Sequence, residues 1–181
     1  MTRLMLAVLL VLGLAACGQA PPPAPMARPA PSAPAGGFGA TEQAFVQLEI
    51  ATDDQAVRML DEGARRASST RLRNYARALA SSRRGELTEL HGLLNAAGVR
   101  YENLHAGHDM PGMPTNAELI DLSTTSDVDT TLVALVRAHL TESATVARSA
   151  AQAVTHPATR ALATRMATAR TTSLTELSTL N

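Results

Sequence analysis

The sequence predicts an all-α protein, a four-helix bundle built from two repeated helical hairpins. Three observations carry that prediction. Apolar residues recur with the 3.6-residue period of helices, and few segments alternate as strands do. Ala, Leu, Thr and Arg dominate a chain with two Phe, two Tyr and no Trp, a composition suited to helices packed through small and aliphatic side chains. The segment from position 41 onward also repeats itself at an offset of 87 residues, with Leu87-Thr88-Glu89-Leu90 matching Leu174-Thr175-Glu176-Leu177 without a gap.

The chain begins with a targeting segment, residues 1–16, that belongs outside the fold. Arg3 supplies a basic start, and Leu4 to Leu14 form an apolar run too short to span a bilayer. Leu14-Ala15-Ala16-Cys17 then has the form of a lipobox, in which small residues precede a Cys that becomes the lipidated N-terminus. Cys17 is the one Cys in the sequence, so no intrachain disulfide can form. The expected partner is a membrane, reached through this anchor, and the expected location is the cell envelope outside the cytoplasm. Gly18, where Asp would favour inner-membrane retention, points towards the outer membrane or cell surface. Residues 17–40 are Pro- and Ala-rich and read as a semi-extended tether rising about 3.1 Å per residue.

The folded domain is expected over residues 41–181. The same offset pairs Val46 with Val133, Leu48 with Leu135, Arg73 with Arg160, Ala76 with Ala163 and Arg83 with Arg170. Helix 1, about Thr41 to Ala67, carries Phe45, Thr52, Ala56, Met59 and Gly63 on one stripe. Helix 2, about Thr70 to Ala97, carries Leu72, Ala76, Leu79, Arg83, Leu87 and Leu90, with Gly98 as its stop. Helix 3 starts near Asp127, with Leu132, Leu135, His139, Ser143 and Val146 inward. Helix 4 follows His156-Pro157, a pairing suited to a first helical turn, and carries Leu162, Met166, Arg170, Leu174 and Leu177. Each amphipathic hairpin buries its face only by packing on the other. Residues 98–126 form a long linker with a short helix expected from Asn116 to Leu122.

These residues resemble the bacterial domain-of-unknown-function 305 proteins. That family shows a helix with Phe, Met-Ile and His-His followed by Ala and Met, then a second helix with Gln-x-x-Glu-Ile. The unit is often duplicated around a Met-Pro-Gly-Met run. Phe45 to Ile50 with Ala56 and Met59 is similar to the first motif, Leu132 to Ala147 repeats it, Arg83 to Leu87 is similar to the second, and Met110-Pro111-Gly112-Met113 matches the run between copies. The resemblance implies a ferritin-like fold. The chain departs from the family at the chemically active positions. Thr52-Asp53 and His139-Leu140 stand where the family has paired His, Arg83 and Arg170 where it has Gln, and Ser173 where the second copy would have Glu.

Two places carry candidate chemistry. Inside the bundle, the inward stripes offer Thr52, Glu86 and His139 as cation ligands, with Glu49, Asp53 and Glu142 on their flanks, but Arg83 and Arg170 share those stripes and stay protonated. The expected result is a buried polar network of Thr52, Asp53, Arg83, Glu86 and Arg170, with His139 a weak ligand candidate. A di-metal oxidoreductase is the less favoured reading. In the linker, His105, His108, Met110 and Met113 combine imidazole and thioether donors, a set suited to Cu(I). The alternative is a hinge whose Met residues dock the linker on the bundle.

Sixteen basic and sixteen acidic residues cancel, leaving no electrostatic footprint for nucleic acid. No nucleophile–base arrangement, phosphate loop, HExxH or CxxC is present. The sequence therefore reads as a non-enzymatic, lipid-anchored helical protein, with loose copper binding through the linker or, alternatively, a purely structural or partner-binding role.

Overall fold

The computed structural model describes residues 37–180. The targeting segment, Cys17 and the tether up to residue 36 lie outside the described residues. Five helices follow in order: α1 (Ala40–Arg66), α2 (Thr70–Ala96), α3 (Asn116–Thr124), α4 (Val128–Ala153) and α5 (Pro157–Ser178). Helices α1 and α2 pair as one hairpin and α4 and α5 as another. The two pairs meet through α1 on α4 and α2 on α5, while α3 packs across α1 and α4.

Local chemistry fixes the ends. The Ser69 hydroxyl accepts from the Leu72 N–H at the start of α2, Thr115 and Glu118 form a capping box on α3, and Asp127 caps α4. His156 caps α5 through its ring nitrogen, with Pro157 in the first turn. The repeat explains a pair of arginines. Arg73 donates to the carbonyls of Ala67 and Ser68 at 2.7 Å, and its counterpart Arg160 donates to Val154 at 3.0 and 2.6 Å. Each holds the turn of its own hairpin.

Apolar side chains form two clusters rather than one. Met59, Leu60, Leu79, Leu132, Leu140 and Leu177 belong to the first; Phe45, Ile50, Leu90, Leu94, Leu162 and Met166 belong to the second. Fully burying a side chain of this size stabilises the fold by about 1.5–3 kcal/mol. On all four long helices a buried polar residue sits between the two clusters in sequence: Asp53, Arg83, Ser143 and Arg170. Helices α1 and α4 approach closely at Gly63, where an added Cβ would lie 2.3 Å from Leu132 Cδ2.

The inward face of α1 is wider than a single stripe. Glu49 and Asp53, expected at its flanks, are completely covered, because α1 contacts α2, α3 and α4 and has little free circumference.

Candidate functional site

The level between the two apolar clusters holds the densest polar chemistry of the fold. Arg170 lies at its centre. Its Nη1 donates to Glu86 Oε2 at 2.8 Å, and its Nη2 donates to Glu49 Oε2 at 3.0 Å and Asp53 Oδ1 at 3.1 Å. Its Nε donates to the Ser143 hydroxyl. Arg83, one helical turn before Glu86, donates from Nη1 to the same Oε2 at 2.5 Å. Both guanidiniums are 0% exposed. Thr52 is buried on the same stretch of α1.

Electrostatics follow from that burial. Desolvation pushes the Asp53 carboxyl well above its ordinary range against the pull of Arg170 and Arg83, and it raises Glu49 in the same way. Burial alone would lower the Arg170 guanidinium, but Asp53, Glu49 and Glu86 outweigh it and hold the group protonated. A buried charge cluster of this kind costs several kcal/mol of desolvation per ion, returned only while every partner stays in place.

The donor set does not suit a metal ion. The three carboxylates already face guanidinium groups, so a cation would meet two fixed positive charges. His139 is the single imidazole here, against the four paired His that the family pattern implies. Among the described residues no group of three or more His, Cys, Asp or Glu is arranged to hold a metal.

His139 serves the linker instead. Its ring is 0% exposed. Burial depresses its basicity well below the ordinary value, and the charges of Arg83 and Arg170 depress it further, so the ring is neutral. Nδ1 lies 3.2 Å from the Gly112 carbonyl. An acceptor there requires the proton on Nδ1 and leaves Nε2 bare. Gly112 has φ +73°, and a Cβ at this position would sit 2.5 Å from Glu142 Cβ and 3.1 Å from the Ala138 carbonyl. The Met110-Pro111-Gly112-Met113 turn thus lies against α4, closed by the Met113 N–H on the Met110 carbonyl at 3.1 Å.

The four linker donors occupy different surroundings. Met113 is buried and Met110 half-buried; both line a recess of about 210 Å³ with Leu135 and Ala138 of α4. His105 lines a separate groove of about 620 Å³ with Phe45, Leu48 and Val146, between α1 and α4. His108 is exposed. The turn brings the two Met together and leaves His105 elsewhere.

Glu42 carries a contact that the sequence reading missed. Its Oε1 accepts the N–H groups of Thr155 at 2.6 Å and His156 at 3.1 Å and the Thr155 hydroxyl at 3.1 Å, while Oε2 accepts the Gly39 N–H at 2.9 Å. One carboxylate therefore joins the start of α1 to the turn between α4 and α5. Burial acts to raise its pKa, but the backbone donors of Thr155, His156 and Gly39 prevail and lower it to about 2. Only the position of Glu42 three residues after Gly39 hinted at a helix start. The Glu42→Gln variant is expected to lose about 1.5–3 kcal/mol of stability near neutral pH, the range for hydrogen bonds to a charged group. Since the folded pKa lies below the ordinary 4.5, this contribution is complete above pH 4.5 and disappears as the pH falls towards about 2. Urea titrations across that interval should show parent and variant converging at the acid end.

The family described as a domain of unknown function, DUF305, matches residues 42–181. No curated protein matches the sequence. A crystal structure of a DUF305 fragment from Deinococcus radiodurans is similar at a TM-score of 0.70 and 18% identity, covering 78% of this chain and 95% of that one. A DUF305 protein from Streptomyces coelicolor, named as secreted, is similar at 0.72 and 19%, covering 80% and 93%. At these identities the likeness shows a shared fold. With the family pattern spanning nearly all of the helical region, this chain belongs to the DUF305 family.

Proposed function

We propose that this protein is a non-enzymatic, lipid-anchored component of the cell envelope, a ferritin-like four-helix bundle with a structural or partner-binding role. One observation carries the reading: Glu49, Asp53 and Glu86, the interior carboxylates, are all engaged by Arg170, and Glu86 by Arg83 as well. Side chains that would serve a di-metal oxidoreductase are used to close the interior. The lipobox at Cys17 supports anchoring, and the name of the Streptomyces coelicolor relative, which describes it as a secreted protein, supports a place outside the cytoplasm. Under this reading the Met-Pro-Gly-Met turn is a docking hinge.

A second reading, loose capture of Cu(I) through His105, His108, Met110 and Met113, draws on the shared recess of Met110 and Met113 and on the affinity of thioethers for soft cations. A Cu(I) competition titration of the full chain beside a Met110→Leu/Met113→Leu variant separates the two. The docking hinge predicts that neither competes with the chelator. Binding by the parent that the variant loses would instead assign the linker to copper.

A further inference from the structure

The buried polar level holds four atoms for which no side chain or backbone group of the described residues provides a partner: Asp53 Oδ2, Arg83 Nε, Arg83 Nη2 and His139 Nε2. The three side chains that carry them are 0% exposed, so bulk solvent does not reach these atoms. A buried polar group left unbonded costs about 1–3 kcal/mol, and four at one level make that cost large against the stability of a single domain.

The four atoms are complementary in kind. Arg83 contributes two N–H donors. Asp53 contributes a carboxylate oxygen, and His139 contributes the bare nitrogen left when Nδ1 donates to Gly112. They also share one neighbourhood: Arg83 and Arg170 meet on Glu86 Oε2, Asp53 accepts from Arg170 Nη2, and His139 lies one helical turn before Ser143, which accepts from Arg170 Nε. Among small ligands, water offers two donors and two acceptors on one atom. We propose that a single water molecule binds at this level, accepting from Arg83 Nε–H and Nη2–H and donating to Asp53 Oδ2 and His139 Nε2.

Charge excludes the other small occupants. Glu49, Asp53 and Glu86 set against Arg83 and Arg170 leave the level within one unit of neutrality. An added cation would face two guanidiniums at close range, and an added anion would face three carboxylates. Buried waters commonly make about three hydrogen bonds, and this one has partners for four. It acts as a strut. The hydrogen-bonded path runs from the Gly112 carbonyl through the His139 ring and the water to Asp53, and from Asp53 to Arg170. The docked linker is thereby joined to the ion pairs that close the interior.

A crystal structure of the full chain at a resolution that orders single waters tests the site. The expected result is one peak about 2.7–3.2 Å from each of the four atoms. Direct contact of Arg83 Nη2 with Asp53 Oδ2 and no peak between them would overturn the proposal, as would a peak whose anomalous signal marks it as an ion. Nitrogen-15 spectra of His139 give an independent reading in solution. A proton on Nδ1 and magnetisation transfer from a long-lived water to the ring are expected; a proton on Nε2 would overturn the assignment, since that nitrogen would no longer accept.

Discussion

Replacing Arg170 with Met should destabilise the protein by about 3–5 kcal/mol, the cost of removing one partner from a buried ion cluster. The effect is large because Arg170 alone reaches Glu49, Asp53 and Glu86, together with Ser143. Met fills much the same volume, so packing changes little while three carboxylates lose their common cation. The unfolding midpoint in urea should fall with the slope nearly unchanged. Arg84→Met provides the contrast. Arg84 pairs with Asp61 where both side chains are about half exposed, and its loss should stay within about 0.5 kcal/mol. Equal effects at the two positions would mean that the interior carboxylates are not held by Arg170.

Gly112→Ala should undock the linker at a cost of about 2–4 kcal/mol. Two physical terms combine. The residue sits at φ +73°, where an L side chain costs about 1–2 kcal/mol. The new Cβ would also meet Glu142 Cβ at 2.5 Å and the Ala138 carbonyl at 3.1 Å, an overpacking usually worth about 1–3 kcal/mol. Neither neighbour yields easily, since one is helix backbone and the other a Cβ. The His139–Gly112 hydrogen bond goes with the displacement. Amide exchange at Met113, whose N–H closes the turn, should accelerate in the variant by more than at residues of α2. Unchanged protection at Met113 would show that the turn does not depend on glycine.

Some of this architecture is legible in the chain and some is not. Helix positions follow from local signals that act within one turn: Ser69 before α2, Thr115 and Glu118 around α3, and His156-Pro157 before α5 all stand where the sequence suggests a start. The duplication is legible because Arg73 and Arg160 keep the same job in both copies, and mutation of either would open its hairpin turn. Arg83 and Arg170 fall on inward stripes, so their burial follows from helical periodicity. Of their partners, Asp53 and Glu86 stand in the polar network expected from the sequence, and Glu49 does not. Glu49 lies off the sequence stripe and is buried where its carboxylate accepts from Arg170 of α5. Glu42 reaches Thr155 and His156 across more than a hundred residues, and no local pattern encodes that distance. The linker is the least legible part of the chain. Two His and two Met within nine residues look like one set of donors, yet the turn at Gly112 sends Met113 into the α4 recess and leaves His105 on the α1–α4 groove. Spacing in an irregular segment does not determine side-chain direction as it does in a helix.

We infer that an arginine–carboxylate network, rather than a metal, closes the interior of this DUF305 protein. Urea unfolding of the metal-stripped full chain, measured without metal and with Zn(II), Mn(II) or Fe(II) in excess, tests it most directly. A ligand present at a hundredfold its dissociation constant adds about 2.7 kcal/mol to the stability of the folded state that binds it. The network predicts an unchanged midpoint for each metal. A rise of that size, abolished by His139→Ala and retained in Met110→Leu/Met113→Leu, would contradict the claim and place a metal among the four helices.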